Sequence, residues 1–568
     1  MPKIEVDEES FYRAIGRRIP EEELGQLLTI AKAELDGREG SILKIELNDT
    51  NRPDLWSTAG LARQLRVYLT GTIPRYDFLS TPAKALPYGE RVIEVDSGLE
   101  HIRPYVAAFA VSGKGLADSE LKDIIQTQEK LCWNYGRKRQ SIAMGVYRHD
   151  RMKYPVRYLA ADPRTTRFTP LGFERELSLA EILEEHPKGK EFGSIVAPFP
   201  RFPYLTDSTG ETLSFPPVIN SANLGAVQVG DSELFIELTG TDLDSLLTAA
   251  SIVACDLRDA GFEILPVKTR YPYDTKLGRE IVCPFYFQEP LSVDVEYASR
   301  LLGDRIEPEA AAASVRRMGC PATVSGGRIT VTVPEYRNDY LHPVDIVEDI
   351  MMGRGLDTFT PLEPSDFTVG RLSEIESFAR RAKDIMIGLG YQEMLFNYLG
   401  SRKDYIDRMC VDGSEMVQIA NPMSENYEYV RSSVLPALLG AESVSANAAY
   451  PHAVFEVGKV AFLDSQDATG TVTRDYLGFL YSDRNADFNL VRSQIAAVLF
   501  YLSAEHRLEE LEDPRFIPGR SARIIVGGAA AGIVGEIHPQ VLENWGIQMP
   551  CSACEIDVGA VLAAARER

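Results

Sequence analysis

Three carboxylates within VPEYRNDYLHPVDIVEDIM, residues 333–351, are spaced so that they could hold a cation. Proline suits a first helical turn, so a helix is expected to start at the break made by His342 and Pro343. Asp345, Glu348 and Asp349 then fall at i, i+3 and i+4 on one helix face. Asp339, on the loop leading in, could swing a fourth carboxylate toward the same point. Like charges at that spacing cost about 0.2–0.5 kcal/mol per pair on an isolated helix. Bulk water tolerates such a face, and so does a hard cation. Ligands that offer only oxygen favour magnesium or calcium.

A second constellation lies in LSFPPVINS, residues 213–221, and LFIELTGTD, residues 234–242. Two prolines feed a short apolar strand ending in Asn220 and Ser221, and the second run alternates, with Glu237 and Thr239 opposite its apolar face. Polar groups from the two could converge in a pocket, although the wet face of a half-buried strand reads the same way. No Ser-His-Asp or Cys-His set accompanies them, so hydrolysis there would use water positioned by hydrogen bonds. Arg137, Lys138 and Arg139 form a basic turn after Trp133, either a solvated loop or a small RNA contact.

The order Pro334, Tyr336, Arg337, Asp339, Asp345, Glu348, Asp349 resembles the metal-contact domain of the beta subunit of phenylalanine-tRNA ligases. That resemblance implies that Asp339, Asp345, Glu348 and Asp349 hold a magnesium ion shared with the alpha subunit. Asn51-Arg52-Pro53-Asp54-Leu55 resembles the same subunit's first domain, while its plain reading is a turn before a helix capped by Asp54 or Ser57. Ser221, Glu237 and Thr239 match the editing pocket of the archaeal and eukaryotic short form, which binds and hydrolyses tyrosine wrongly attached to the tRNA. Glu237 departs from the aspartate expected there by one methylene. Editing has a physical motive, because an apolar pocket rejects an added hydroxyl by only about a hundredfold.

Further on, Asn421 to Ser424, Tyr429 to Leu439, Val454 to Lys459, Phe516 to Arg520 and Gly535 to Pro539 resemble a class II aminoacyl-tRNA synthetase core. Adenylate formation requires cationic clamps on ATP. Where catalytic cores of this class carry two arginines, this chain has Glu456 and Ile556. The resemblance therefore implies a non-catalytic copy of the fold beside a catalytic alpha chain, in an assembly of two alpha and two beta chains that uses ATP and phenylalanine tRNA.

Positioning these groups takes several domains. The expected fold class is multidomain α+β, with a C-terminal antiparallel sheet domain of the class II type that lacks the catalytic motifs. Proline clusters at Pro74, Pro82 and Pro87, and again at Pro361 and Pro364, suggest boundaries. The expected divisions are residues 1–88, an editing domain at 89–279, a metal-contact domain at 280–362 and the synthetase-like domain at 363–568. In the last, Ile375, Phe378, Ala379, Ala382, Met386 and Leu389 recur at helical spacing before Gly390.

With 60 basic against 83 acidic residues the net charge is −23, which argues against wrapping nucleic acid by positive potential alone. The start MPKIEVDEES has no signal pattern, and no apolar run of membrane-spanning length occurs, so a cytoplasmic, non-membrane protein is expected. Seven cysteines are too sparse for a disulfide framework, and the lone Cys551-x-x-Cys554 pair reads as structural thiols. Gly527-Gly528 reads as a hairpin, and His538 as a turn residue. Two rival readings are a free-standing deacylase of misacylated tRNA and a non-enzymatic nucleic-acid-binding scaffold.

Overall fold

The computed structural model describes residues 2–79 and 87–566; Pro82 lies outside them. The chain divides into two compact units, Met1–Glu363 and Pro364–Arg568.

In the first unit the alternating Leu43, Ile45 and Leu47 bury one face of the central strand of a three-stranded antiparallel sheet. A short 3-10 turn at Pro53–Leu55 leads into helix Thr58–Thr70. Ser57, not Asp54, caps it by accepting from the Gly60 N–H at 2.9 Å, because both Asp54 oxygens are engaged by Arg52 at 2.8 Å.

The same core continues without a break into a ten-stranded sheet, from Ile4 and Phe11 to Phe235 and Ile252. Strand Glu233–Gly240 lies between Tyr105–Ser112 and Ile142–Arg148, antiparallel to both, with Glu237 opposite Ala108 on one side and Gly145 on the other. Helix Leu243–Asp259, capped by Asp242, covers this region and is buried over most of its length. Beyond it, a three-stranded sheet and helices Val295–Leu302, Pro308–Arg317 and Pro343–Arg354 enclose a separate small core.

The second unit is built on a seven-stranded sheet whose order runs Gln392–Glu393, His452–Leu463, Thr471–Ser482, Cys551–Asp557, Ala529–Ile537, Phe516–Val526, His506–Glu510. Only the first pair is parallel. Alternation buries both faces. Phe479 and Cys554 meet helices Glu374–Gly388 and Phe488–Tyr501, whereas Leu480 and Ala553 meet helix Leu435–Val444. Cys551 and Cys554 fall in opposite cores, so the pair is two separate buried thiols. Gly527 and Gly528 turn a tight hairpin with positive φ of 58° and 80°, as their dipeptide predicts. His538 caps helix Pro539–Trp545 by accepting from the Gln540 N–H. Glu456 is buried in a bidentate pair with Arg431 at 2.8 and 2.9 Å, and Ile556 is part of the apolar core. Neither side chain offers a cation.

Candidate functional site

Alternation along Glu233–Gly240 places Glu237 and Thr239 on one face, yet their surroundings differ. Glu237 lines a cavity of about 430 Å³ whose walls are mainly apolar, including Ile124, Met144, Phe215, Pro217 and Val227. A volume of that order, with a few polar groups among apolar walls, suits a small-molecule moiety. At its polar end the Tyr147 hydroxyl lies 2.7 Å from Glu237 Oε2 and 2.8 Å from Ser214 Oγ. That hydroxyl can give its single proton to the carboxylate while accepting from Ser214, and the carboxylate's remaining lone pairs keep acceptor capacity for a ligand.

Burial pushes the Glu237 carboxyl up to about 7, against the opposing pull of the Tyr147 hydroxyl and the Arg103 guanidinium. Near neutral pH it can therefore exist in either protonation state. No histidine or cysteine lines the cavity among the described residues.

Thr239 is not among the cavity walls, although its hydroxyl also bears on the Glu237 carboxyl. Its Oγ1 accepts from Arg103 Nε at 2.9 Å and its carbonyl from the same guanidinium at 2.6 Å. Arg103 also donates to the carbonyls of Arg139 and Gln140. Thr239 is thus a positioning residue for the turn beside the site. Ser221 is also displaced from the expected pocket: it is buried, and its Oγ accepts from the Leu224 N–H at 3.2 Å. The serine beside Glu237 is Ser214, seven positions earlier in the same proline-containing segment. The tight turn at Pro216 and Pro217 pairs Ser214 with Asn220, and that register selects which serine enters the cavity.

Gly145 is required by this arrangement. A Cβ there would stand well inside contact distance of the Tyr147 hydroxyl and 2.7 Å from Glu237 Oε2. Gly145→Ala is expected to break the Tyr147–Glu237 contact. Stability should fall by about 1–3 kcal/mol, the usual cost of overpacking a well-filled site, and any ligand affinity of the cavity should fall with it. Urea unfolding and ligand titration check this; an unaltered midpoint with unaltered affinity counts against the geometry.

The acidic helix departs from expectation. Pro343–Arg354 is a helix starting at the expected break, and its cap is His342. However, its three carboxylates diverge. Asp345 turns back to accept from the Leu341 and His342 N–H groups at 2.7 and 2.6 Å. Glu348 pairs with Lys32. Asp349 faces inward beside Ile346 and Ile350 and binds the fully buried Arg337, which also holds Asp339 at 2.5 and 2.7 Å. Burial raises the Asp339 carboxyl, but Arg337 and Arg52 outweigh it and hold it down at about 2. No cluster of three or more potential metal ligands exists among the described residues. The donor set as folded does not fit a four-carboxylate metal centre, because guanidinium, ammonium and backbone N–H groups already satisfy it. Spacing along the helix gave no hint of Arg337, which reaches Asp349 from the preceding loop.

Fold, site and sequence comparison together define a subunit of an aminoacyl-tRNA synthetase. Residues 291–356 match the tRNA synthetase B5 domain, and residues 362–558 match the phenylalanyl tRNA synthetase beta chain CLM domain. A phenylalanine–tRNA ligase beta subunit from Borrelia garinii subsp. bavariensis is 46% identical over 567 residues, covering 99% of this chain and all of that relative. One from Treponema pallidum is 44% identical, again over 99% and 100%. The crystal structure of an N-terminal fragment of the phenylalanyl-tRNA synthetase beta subunit from Pyrococcus horikoshii aligns with a TM-score of 0.58 and 34% identity, covering 62% of this chain and 100% of the fragment. The chain belongs to the phenylalanine–tRNA ligase beta subunit family.

Proposed function

We propose that the cavity at Glu237 hydrolyses tyrosine from mischarged phenylalanine tRNA. The observation that supports this most directly is an ionisable carboxyl, buried beside Tyr147 and Ser214 at the polar end of an otherwise apolar cavity. An aromatic ring fits such walls, and a phenolic hydroxyl meets Glu237. Phenylalanine would offer the buried carboxyl no hydroxyl, and a site built around a hydroxyl rejects the analogue lacking it by about 10⁴–10⁵. With no histidine or cysteine in the lining, water is the nucleophile of this reading.

The second unit is read as a class II fold kept for packing. The Arg431–Glu456 pair and the apolar Ile556 stand where ATP-clamping arginines are expected, so aminoacylation with ATP falls to an alpha partner, in a complex of two alpha and two beta chains of cytoplasmic location. No described helix is long and apolar enough to cross a membrane. The magnesium expectation is not carried forward, because Arg337 holds Asp339 and Asp349, backbone N–H groups hold Asp345 and Lys32 holds Glu348, and no step is routed through a metal.

The test is release of amino acid from tyrosyl- and phenylalanyl-tRNA by the chain reconstituted with its partner. Tyrosine is expected to leave at least about a hundredfold faster; equal rates would remove the assignment. The same assay on the chain alone separates subunit editing from a free-standing deacylase, and no release from either tRNA leaves a scaffold.

A further inference from the structure

After helix Asp118–Lys130 and the single wide turn Leu131–Tyr135, the chain passes Gly136 and enters the left-handed region three times in succession. Arg137, Lys138 and Arg139 have φ of 50°, 54° and 66°. They are half of the six non-glycine residues with positive φ among the described residues. A run of three is costly for residues bearing a Cβ, and it persists only where the surroundings enforce it.

Here they do. The Lys138 and Arg139 N–H groups donate to the carbonyls of Trp133 and Cys132, each at 2.8 Å. A Cβ on Gly136 would stand 2.6 Å from the Cys132 carbonyl oxygen, so only glycine lets the chain turn there. Arg139 anchors the far end, donating to the carbonyls of Pro217 and Val218, both at 3.0 Å. It also lines the Glu237 cavity.

The enforced conformation leaves Arg137 and Lys138 exposed, and neither has a carboxylate within salt-bridge distance among the described residues. Trp133 is 47% exposed, with the Lys138 ammonium 5.3 Å from its ring centroid. Its edge meets Phe192, over which the Arg139 guanidinium stacks at 4.1 Å. Lys188 also lies over Phe192 but is paired with Glu191. Trp133, Asn134, Arg137, Lys138 and Ser141 line a groove of about 1,030 Å³. Its one lining carboxylate, Asp242, is engaged in capping a helix through the Ser245 N–H at 2.8 Å. In a chain of net charge −23, two exposed cations beside an exposed indole, with Asp242 acting on Arg137 only at longer range, form a local exception.

We propose that this groove seats the unpaired end of an acceptor RNA, with a base stacked on Trp133 and backbone phosphates on Arg137 and Lys138, so that the attached amino acid enters the neighbouring cavity past Arg139. Stacking on an exposed aromatic with cations along the backbone is the general mode for single-stranded nucleic acid. The proposal names the RNA contacts of the deacylation site and rests on that reading.

The test uses the chain reconstituted with its partner and three variants, Trp133→Ala, Trp133→Phe and the double Arg137→Ala/Lys138→Ala, each verified for unchanged thermal unfolding. A short unpaired oligoribonucleotide serves as the binding probe, read by quenching of Trp133 fluorescence, or by anisotropy of a labelled RNA for the tryptophan variants. Trp133→Ala should weaken it by about 5- to 150-fold, while Trp133→Phe retains most of the affinity. The double variant should lower the slope of log affinity against log salt by about 1.4, the value for two phosphate contacts on a single strand. For tyrosyl-tRNA, KM should rise in the alanine variants with kcat kept. Unchanged affinity, salt slope and KM would overturn the proposal. RNA binding that responds to the variants without any deacylation would instead overturn the reading of the cavity and leave the groove standing.

Discussion

Glu237→Gln is expected to slow release of tyrosine from its tRNA by about 10- to 150-fold, since a hydrogen bond to a charged group contributes about 1.5–3 kcal/mol. The amide fills nearly the same space and can still accept from Tyr147, so the loss isolates the ionisable function. The wild-type rate should also rise with pH through about 7, where the buried carboxyl ionises and becomes the stronger acceptor for a phenolic hydroxyl. The variant should lack that inflection. Stability has the opposite dependence. A carboxyl raised from 4.5 to about 7 by burial keeps its proton in the fold over a range where the unfolded chain has lost it. Its contribution is therefore full below pH 4.5 and is lost as pH rises through about 7. Urea midpoints at both ends of that window should differ less in Glu237→Gln than in the wild type. A variant that releases tyrosine at the wild-type rate with the same pH profile takes Glu237 out of the site.

Arg337→Met is expected to be the most damaging single change, at about 3–5 kcal/mol, because it strands buried carboxylates without their counter-charge. Arg337 is fully buried and joins Asp339 to Asp349, and Tyr340 donates to the same Asp349. Its guanidinium also reaches Cys320 Sγ at 3.7 Å. Adding Asp339→Asn and Asp349→Asn to Arg337→Met should recover part of the loss, since the stranded charges are then gone. The magnitude is read as the shift in unfolding midpoint of the first unit. Added magnesium should leave the wild-type midpoint unchanged. If magnesium raised that midpoint while Arg337→Met proved neutral, the carboxylates would be metal ligands and the ion-pair account would fail.

Local patterns that were legible in the sequence are those that neighbouring residues impose. The helix after His342 starts at Pro343 because proline lacks the donor that a first turn leaves unused. The spacing of Phe378, Ala382 and Met386 describes one buried face of helix Glu374–Gly388. Gly527-Gly528 closes a hairpin because both positions require positive φ. Glu237 was singled out by the family resemblance and not by its pattern, because an acid on the wet face of a half-buried strand reads the same way. The exposed Arg137 and Lys138 were legible as a basic turn, but their left-handed backbone was not, because it depends on contacts to Cys132, Pro217 and Val218.

By itself, then, the sequence determined the elements, their turns, the family resemblance and, through it, the strand that carries the acid. Tertiary structure alone decided what that acid meets. Tyr147 and Ser214 are 67 positions apart in the chain, and Glu237 lies 90 beyond Tyr147; strand register joins all three. It also selected Ser214 over Ser221 and turned Thr239 toward Arg103. In the same way, a buried guanidinium drew Asp349 into the core and dissolved the acidic face that helical spacing implies. The physical reason is common to these cases. Helical and strand periodicities are set by the chain's own geometry, whereas the partner of a buried charge is set by whichever distant group the packed core brings within hydrogen-bond distance.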